Sequence, residues 1–330
     1  MVNILILGAA SPTSQTLYKS LPRSGNHCVY CLAQTPERAR PLGVISIPGD
    51  LFNNAKIQEG IEAHSINVVV GVVGALAFPL QALLAELKRL GRARLATASD
   101  AGKEITKLGF IYCSGIGVTR DSNKPDEDIF PIGLPNSRKP PAQRISWLPK
   151  FEQDVVDVSD VLAVMVMRSA LVYGYAHPNW SRFFKPISKA VRSGATSVSL
   201  PAEPHSRPGL VHAIDVASGL HAAIDKLASV SRNHLYPVFD LVTSQESMRD
   251  ISESAAKELG FKGKVKLVGV GDDRMAKAMC TSINGSSARA RLILGWEPKK
   301  IGFVQGMDIY AKAHAASRSY QLTFLSWLLA

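Results

Sequence analysis

Small residues at a spacing of three follow the first apolar segment of the chain. Residues 2–7 form a short apolar run that is typical of a buried strand, and residues 15–21 have the apolar spacing of a helix. The turn between them contains small side chains, among them Gly8, Ala10, Ser11, Pro12, Thr13 and Ser14. A strand, a tight turn and a helix in this order direct the free N–H groups of a helix N-terminus towards a phosphate. The stretch therefore predicts a pyrophosphate site, with an ordinary strand-to-helix connection as the alternative.

Four polar side chains further along the chain could hold or transfer a proton. Ser114 stands near the end of the fifth apolar segment, and Lys150 opens the helical segment that comes after it. Tyr175 and His177 follow the sixth apolar segment, so we expect them at the carboxyl edge of a sheet, where open α/β sheets bind ligands. An unperturbed histidine titrates near neutral pH. We take these four as candidate catalytic residues; for Lys150, a solvated position in the first helical turn is the alternative.

The segments that must position these residues alternate between strand and helix through the first 115 residues. We therefore expect an α/β fold with a doubly wound parallel sheet of the Rossmann type and a smaller C-terminal substrate lobe. Residues 1–174 would form mainly the dinucleotide-binding body and residues 175–330 mainly the lobe, with 209–245 returning to the body. Asp215 is expected to cap a helix. A polar, proline-rich stretch at 119–149 is a candidate flap over a pocket.

The ends of the second and fourth strands bear on the choice of dinucleotide. Gln34 follows the second strand, with Arg38 and Arg40 shortly after it and no acidic residue at the strand end. An acidic residue there would bind the ribose 2′-hydroxyl of NAD, whereas nearby arginine favours the 2′-phosphate of NADP. We therefore predict NADP, with NAD as the alternative if both arginines are solvated helix charges. Val73 and Gly74, at the end of the fourth strand, are small enough to let the cofactor backbone pass.

The composition is that of an ordinary globular protein. Of the 330 residues, 46% are hydrophobic and 20% are charged, and no stretch approaches the ~18 uninterrupted apolar residues of a membrane span. The formal charge is +11, but the basic residues are spread out, without a long run or a nucleic-acid motif. We therefore attribute the charge to an anionic cofactor or substrate, and expect neither a nucleic-acid partner nor a membrane segment.

The four cysteines fit a reducing, cytoplasmic location. Cys28 and Cys31 have the spacing of a CxxC motif, but they lie in the predicted second strand. Side chains three apart on a strand point to opposite faces, so we do not expect this pair to bind a metal or to act in redox chemistry. The sequence predicts no metal site. The N-terminal apolar run has no basic segment before it, and this favours a strand over a signal peptide.

Six segments together resemble the extended and atypical short-chain dehydrogenases, particularly the NAD-dependent epimerase/dehydratase branch of that superfamily. They follow one another in the order and at the intervals of those enzymes, at 8–14, 49–51, 110–115, 168–174, 211–215 and 294–298. The resemblance implies a Rossmann-type fold and a nicotinamide cofactor. It also implies that Gly8, Ser11 and Ser14 stand where the superfamily has Gly-x-x-Gly-x-x-Gly, and that Asp50 and Leu51 belong to an adenine-contacting turn.

The same resemblance implies a serine, a tyrosine and a lysine that handle the proton, the last two being four residues apart on a helix. With Lys150 as the lysine, the tyrosine position is Ser146. With Glu152 aligned to a glutamate that follows the pair, the two positions are Arg144 and Leu148. Neither alignment gives Tyr-x-x-x-Lys. The four candidate residues named above would then replace this set.

These observations leave three functions open. The first is an NADP-dependent oxidoreductase-like enzyme that acts on a small, largely apolar organic molecule of specialised metabolism. The second is a non-redox isomerase, dehydratase, lyase or cyclase on the same scaffold, in which the pocket acts by positioning and electrostatics. The third is a nucleotide-sensing regulator. We expect the first, with a small molecule as the partner; the oligomeric state stays open, a homodimer being one alternative.

Overall fold

A computed structural model describes residues 1–8, 11–33, 43–72, 77–100, 106–116, 122–126, 146–175, 177–300 and 302–317. The strands are β1 (Val2–Leu7), β2 (His27–Ala33), β3 (Ile45–Pro48), β4 (Val68–Gly71), β5 (Leu108–Gly115), β6 (Ser122–Asp126), β7 (Leu162–Ser169), β8 (Leu171–Tyr173), β9 (Ser197–Leu200), β10 (Gly209–His212), β11 (Val238–Leu241), β12 (Ser244–Gln245), β13 (Lys264–Leu267) and β14 (Ile283–Gly285). The helices are α1 (Pro12–Arg23), α2 (Asn54–Ala63), α3 (Ala77–Asp100), α4 (Leu148–Asp157), α5 (Ser181–Ser193), α6 (Ala213–Arg232), α7 (Met248–Glu258), α8 (Arg274–Met279), α9 (Ala288–Leu294) and α10 (Met307–Ala316). A short 3-10 helix covers Pro178–Trp180.

Seven parallel strands form the central sheet of the described residues, in the order β11-β7-β5-β4-β1-β2-β3. The strand order reverses at β1, which has β2 on one side and β4 on the other. The predicted doubly wound parallel sheet is therefore confirmed. In open α/β sheets, ligands bind at this reversal, outside the carboxyl ends of the strands. The ends of β1 and β4 thus mark the ligand-binding crevice of the fold.

Helices cover both faces of this sheet, because successive strand residues point to opposite sides. In β5, Ile111 belongs to a buried cluster with residues of α1 and α6, whereas Phe110 and Tyr112 belong to one with residues of α2, α3 and α4. The apolar runs of the sequence reflect this burial on two faces. In the part of the chain that the structure describes, no helix combines the length and the apolar character needed to cross a membrane.

Smaller sheets lie beside the central one. β8, β10 and β12 form one sheet, β9 pairs with β13, and β14 pairs with β6. An aromatic cluster packs near them, in which the ring of Phe303 lies 4.5 Å from that of Trp180 and 4.7 Å from that of Tyr173. β11 joins the edge of the central sheet beside β7. The chain therefore leaves the central sheet after β7 and returns to it at β11, while the predicted domain limits stay a prediction.

Two carboxylates attach the segment at 299–304 to earlier parts of the chain. Asp215, which is 1% exposed, accepts hydrogen bonds of 2.8 Å from the backbone N–H groups of Lys299 and Lys300. Glu246 accepts hydrogen bonds of 2.8 and 2.6 Å from the backbone N–H groups of Phe303 and Val304. Each carboxylate thus satisfies two successive backbone donors, as buried polar groups require.

The start of α6 differs from the expectation that Asp215 caps a helix. His212 is the N-cap residue, and its Nδ1 accepts a hydrogen bond of 3.1 Å from the Ile214 N–H. Asp215 lies inside the first turn instead, where an acidic side chain is still favourable for the helix dipole. The prediction was wrong because the carboxylate of Asp215 is committed to Lys299 and Lys300, which a local sequence pattern does not reveal.

The predicted flap at 119–149 is described only in part. Residues 122–126 form β6, which pairs with β14; residues 146 and 147 form a turn, and 148 and 149 are the first residues of α4. The rest of the stretch lies outside the described residues, so a flap over a pocket stays a prediction.

Candidate functional site

The turn between β1 and α1 lies at the carboxyl end of β1, in the crevice where the strand order reverses. Gly8 has a φ of 93°, a conformation that favours glycine because a Cβ would be strained there. Ser11 has φ −74° and ψ 149°, which suits any residue, and its side chain caps α1. Pro12 follows at the first helical position, where the missing N–H is tolerated. Of the three motif positions in this turn, only the first therefore needs glycine for its backbone conformation.

The two serines of this turn bind each other and Gly8. The Ser14 hydroxyl donates to the Gly8 carbonyl oxygen at 2.8 Å, and the Ser11 and Ser14 hydroxyl oxygens lie 2.9 Å apart. The Ser14 N–H donates to Ser11 Oγ at 3.0 Å. Ser14 has no exposed surface, and Thr13 beside it is also buried. One of the N–H groups that a helix N-terminus offers to a phosphate is therefore occupied by Ser11.

The remaining predicted cofactor residues are described only in part. Asp50 follows β3 and accepts a hydrogen bond of 2.9 Å from the backbone N–H of Phe52. Leu51 is partly buried against the core cluster on the α2 side of the sheet. Five further residues lie outside the described residues, namely Ala10, Gln34, Arg38, Val73 and Gly74. Their part in binding a dinucleotide stays a prediction, as does the preference for NADP.

Ser114 belongs to a buried polar network that spans three neighbouring strands and one helix. Its hydroxyl donates to Glu152 Oε1, and Arg168 Nε donates to Glu152 Oε2 at 2.8 Å. Arg168 Nη1 lies 3.8 Å from Asp240 Oδ1. Glu152, Arg168 and Asp240 have no exposed surface, and Ser114 is 5% exposed. The sheet order sets β5, β7 and β11 side by side, and this brings the four residues together.

Burial and charge oppose each other in this network. Burial raises the pKa of Glu152, while the Arg168 guanidinium and the Ser114 hydroxyl act against that rise. Burial lowers the pKa of Arg168, but its two carboxylate neighbours outweigh this and the net shift is upward. Arg168 therefore stays charged and needs its partners, since a buried charge persists only when it is paired. Sequence reasoning singled out Ser114 but missed its partners; ionisable residues inside the apolar runs of two strands are the signal that could have found them.

Lys150 does not take part in this network. Its side chain is 75% exposed and pairs with Asp154, one turn along α4. Residues two apart on a helix point about 200° from each other, so Lys150 faces solvent while Glu152 faces the sheet. Leu148, one turn before Glu152, is 4% exposed and lies on the same helix face. Leu148 and Glu152 therefore lie on the buried face of α4, and Lys150 does not; which alignment with the resembled enzymes holds stays a prediction.

Tyr175 and His177 follow β8 closely. Tyr175 has a φ of 48°, which is uncommon for a residue with a side chain, and it is 48% exposed. His177 Nδ1 is buried, and no described residue offers it a hydrogen bond. Burial lowers the pKa of His177 to about 4, so the imidazole is neutral at pH 7. Strained backbone of this kind is concentrated at functional positions, and Tyr175 is the more accessible of the two side chains.

His212 extends this group from the neighbouring strand β10. Its ring lies 5.7 Å from that of Tyr175, 5.2 Å from Tyr173 and 5.5 Å from Tyr310, and the residue is 3% exposed. Gly174 closes one side of the imidazole, because a Cβ there would lie 2.1 Å from His212 Nε2. Burial lowers the pKa of His212 to about 4. From the sequence alone, His212 is only a histidine at the end of an apolar run, because its aromatic neighbours come from distant segments.

The fold as a whole matches solved enzyme structures, although no protein-family model and no curated protein matches the sequence. The dTDP-glucose 4,6-dehydratase of Bacillus anthracis str. Ames, in complex with NAD, matches with a TM-score of 0.70 at 14% identity, over 97% of this chain and 98% of that chain. The UDP-glucose 4-epimerase of Stenotrophomonas maltophila, with bound NAD and formylated UDP-arabinopyranose, gives 0.66 at 14% identity, over 98% and 100%. The UDP-glucuronic acid 4-epimerase of Bacillus cereus, in complex with NAD, gives 0.64 at 14% identity, over 96% and 100%.

These comparisons bear on the fold, since identities of 14% are too low to carry function across. The matched structures are two epimerases and one dehydratase, the kinds of enzyme that the six sequence segments resemble. The predicted resemblance is thereby confirmed at the level of architecture, along nearly the full length of the chain. The chain therefore has the same overall fold as these solved epimerase and dehydratase structures.

Proposed function

We propose that the chain is a nicotinamide-dinucleotide-dependent enzyme that acts on a small molecule. The observation that carries the proposal is the β1–α1 turn, with Gly8 in its left-handed conformation and the N-terminus of α1 directly after it. This turn lies where the strand order reverses, and the solved structures with the same fold hold NAD. Ser11 and Ser14 are small enough to keep the turn tight, so the residues present fit a pyrophosphate.

We also propose which dinucleotide and which class of substrate the chain binds. Arg38 and Arg40 favour NADP, while NAD is the alternative suggested by the matched structures. For the substrate, we propose a small and largely apolar molecule because aromatic side chains surround His212 at the end of β10. Nucleotide sugars are the substrate class to compare, since UDP-glucose and NAD are bound together in a further structure of this fold.

For the reaction, we propose hydride transfer in which the Tyr175 hydroxyl gives the proton to the substrate oxygen during reduction and its phenolate takes that proton back during oxidation. The cofactor would supply or accept the hydride. Tyr175 is half exposed at the end of β8, whereas the sheet-facing positions of α4 are taken by Leu148, Phe151 and Glu152. Ser114 donates its only hydroxyl proton to Glu152, so it can hold α4 against β5 or accept a hydrogen bond, but it does not give a proton while that bond lasts.

A non-redox isomerase, dehydratase, lyase or cyclase is the second candidate. The observation that favours it is Leu148, a buried apolar residue that takes the lysine position in the alignment based on Glu152. Without that lysine, nothing on the described part of α4 lowers the pKa of a neighbouring tyrosine hydroxyl or binds the nicotinamide ribose. A shaped pocket can still accelerate a reaction by positioning the substrate.

Calorimetric titration of the full chain with NADPH, NADH, NADP⁺ and NAD⁺ tests the common part of both candidates. Saturable binding of one dinucleotide per chain supports the proposal, and no binding of any of the four overturns it. Turnover is then measured with nucleotide sugars and with small apolar carbonyl compounds, following NADPH absorbance and product mass together. Product with an absorbance change supports hydride transfer, and product without one supports the second candidate. Tight dinucleotide binding without any product in either substrate class supports a nucleotide-sensing regulator instead.

Two variants test the proposed proton donor. Tyr175→Phe removes one hydroxyl and keeps the ring against His212, so we expect a rate roughly a hundredfold lower with unchanged dinucleotide affinity. Lys150→Ala is the matched control, because this side chain faces solvent and pairs only with Asp154; its rate should stay within twofold of the unmodified chain. Full activity of the Tyr175→Phe chain would show that Tyr175 is not the donor.

A further inference from the structure

Two histidines and an aspartate converge at the amino end of the sheet, away from the dinucleotide crevice. His27 is the first residue of β2, and His221 and Asp225 lie one turn apart on the same face of α6. His27 Nε2 lies 2.9 Å from Asp225 Oδ1, and His221 Nε2 lies 3.7 Å from Asp225 Oδ2. One ligand atom from each residue lies within 4.8 Å of the other two. The cluster therefore combines two imidazole nitrogens and a carboxylate oxygen in one place.

The fold itself produces this convergence. α1 packs along α6, and the turn after α1 returns the chain to the start of β2 beneath both helices. Gly25 makes that turn in the left-handed conformation, with a φ of 71°. His27 is buried there, with 4% of its side chain exposed, while the side chain of Asp225 is half exposed. One histidine is thus fixed by packing, and the two helical residues lie at the surface.

His27 is not satisfied by hydrogen bonding alone. Its Nε2 contacts Asp225, but its Nδ1 is buried and has no hydrogen-bond partner among the described residues. A second imidazole, that of His221, lies against the same carboxylate, with its ring centroid 5.6 Å from that of His27. Two imidazoles that share one carboxylate are more than a single ion pair needs. His27 Nε2, His221 Nε2 and the Asp225 carboxylate therefore face one another, and this arrangement points to a bound cation between them.

A cavity beside the cluster gives such a cation a route and room for water. It has a volume of about 400 Å³ and is lined by His221 and Asp225 together with Thr16, Ser20 and Gly295. A water molecule takes up about 30 Å³, so water can complete the coordination of an ion in this cavity.

We propose that His27, His221 and Asp225 bind a divalent transition metal ion of the Zn²⁺ type, with water at the open positions. Tetrahedral zinc with bonds of about 2.1 Å holds neighbouring ligand atoms roughly 3.4 Å apart. The separations of 2.9 and 3.7 Å from the two Asp225 oxygens lie on either side of that value. Mixed imidazole and carboxylate ligands suit Zn²⁺, Ni²⁺ or Cu²⁺, whereas Mg²⁺ and Ca²⁺ prefer oxygen ligands alone.

The ion would act on stability rather than on the reaction. His27 stands at the opposite end of β2 from the crevice, and a strand of this length spans roughly 20 Å. An ion held by β2 and α6 links the sheet to the helix that carries His212 at its N-terminus. Binding to the folded state alone then raises the temperature of unfolding.

Titration of the full, untagged chain after treatment with a chelator tests the site. We expect one Zn²⁺ per chain by calorimetry, no binding of Mg²⁺, and a midpoint of thermal unfolding that rises by roughly 3–5 °C at saturating Zn²⁺. Co²⁺ in place of Zn²⁺ should give the visible absorption of a tetrahedral ion. Absence of saturable Zn²⁺ binding to the unmodified chain would overturn the proposal.

Substitutions locate the binding on the named residues. His221→Ala and Asp225→Asn alter partly exposed positions of α6, so the fold should persist, and we expect Zn²⁺ to bind at least roughly tenfold more weakly to each. His205→Ala removes an exposed histidine elsewhere and is the matched control, with affinity as in the unmodified chain. Unchanged affinity in both α6 variants would also overturn the site. Dinucleotide titration of the same variants separates this result from the proposed function, because the crevice lies at the other end of the sheet.

Discussion

Glu152 on α4 accepts a hydrogen bond of 2.8 Å from Arg168 on β7, and neither side chain has any exposed surface. The pair joins a helix to the central sheet through charge rather than through apolar packing. Desolvating two charges is expensive, and only their mutual attraction and added hydrogen bonds compensate for it. The Ser114 hydroxyl and Asp240 supply those additions on either side. Removing one partner should therefore lower the free energy of unfolding by more than the intact pair contributes to it.

A double-mutant cycle across this pair measures that asymmetry. Glu152→Ala and Arg168→Met each leave a buried charge without its partner, and we expect each to lower the free energy of unfolding by roughly 3–5 kcal/mol. The double variant should lose less than the sum of the two, by about 1–3 kcal/mol. Urea unfolding of the four chains gives these values. Additive losses would mean that the two charges do not stabilise each other.

In the proposed dinucleotide complex, the Ser11 hydroxyl and a phosphate would compete for the same donor, the backbone N–H of Ser14. Ser11→Gly removes the acceptor of the Ser14 N–H and frees this group for a phosphate. A freed hydrogen bond of about 1 kcal/mol predicts roughly fivefold tighter dinucleotide binding, measured by calorimetry. The cost in stability should be a few tenths of a kcal/mol, against about 1 kcal/mol for Ser11→Ala. Weaker binding of the Ser11→Gly chain would instead assign the hydroxyl itself to the phosphate.

Comparing alanine substitutions at Gly174 and Gly194 distinguishes the cost of backbone strain from the cost of a side-chain clash. Both have a positive φ, 98° and 65°, but a Cβ at Gly174 would lie 2.1 Å from His212 Nε2, whereas nothing lies within 4 Å of one at Gly194. We expect Gly194→Ala to cost about 1 kcal/mol from strain alone. Gly174→Ala should cost about 2 kcal/mol more, because the imidazole must move. Equal decreases in the free energy of unfolding, measured with urea, would show that the His212 ring moves aside at no measurable cost.

The buried histidines make stability depend on pH in a stated direction. The folded-state pKa of His212 is lowered to about 4 by burial, below the ordinary value near 6.5. The contribution of neutral His212 is therefore complete above about pH 6.5, and it is lost as the pH falls from 6.5 towards 4. The pKa of His177 is lowered in the same way, so part of the dependence of stability on pH comes from His177 and not from His212.

His212→Asn tests that slope while keeping the helix cap, since an asparagine oxygen can accept from the Ile214 N–H as Nδ1 does. Between pH 6.5 and 4, the Asn variant should lose about 2–3 kcal/mol less than the unmodified chain. Urea unfolding at a series of pH values gives both curves. If the two curves of unfolding free energy against pH are parallel, His212 does not cause the pH dependence.

The parallel sheet could be predicted from the sequence because burial on two faces leaves near-continuous apolar runs, as in β4 and β5. The β1–α1 turn was equally readable, since Gly8 and Pro12 carry local conformational preferences. The sequence alone could not show which of the predicted proton donors are buried and which face solvent. Lys150 and Glu152 lie two residues apart on one helix, and only the position of the sheet decides which of them is buried. Non-local pairs such as Asp215 with Lys299 leave no sequence pattern at all.

The attachment of residues 299–304 to Asp215 and Glu246 has a consequence for the order in which the protein matures during synthesis. The strands of the central sheet all precede residue 242, so they can pair while the chain is still being translated. Asp215 and Glu246 meanwhile remain without the four backbone donors that they bind in the finished molecule. The start of α6, with His212 and its aromatic surroundings, therefore becomes complete only once Tyr310 has emerged from the ribosome.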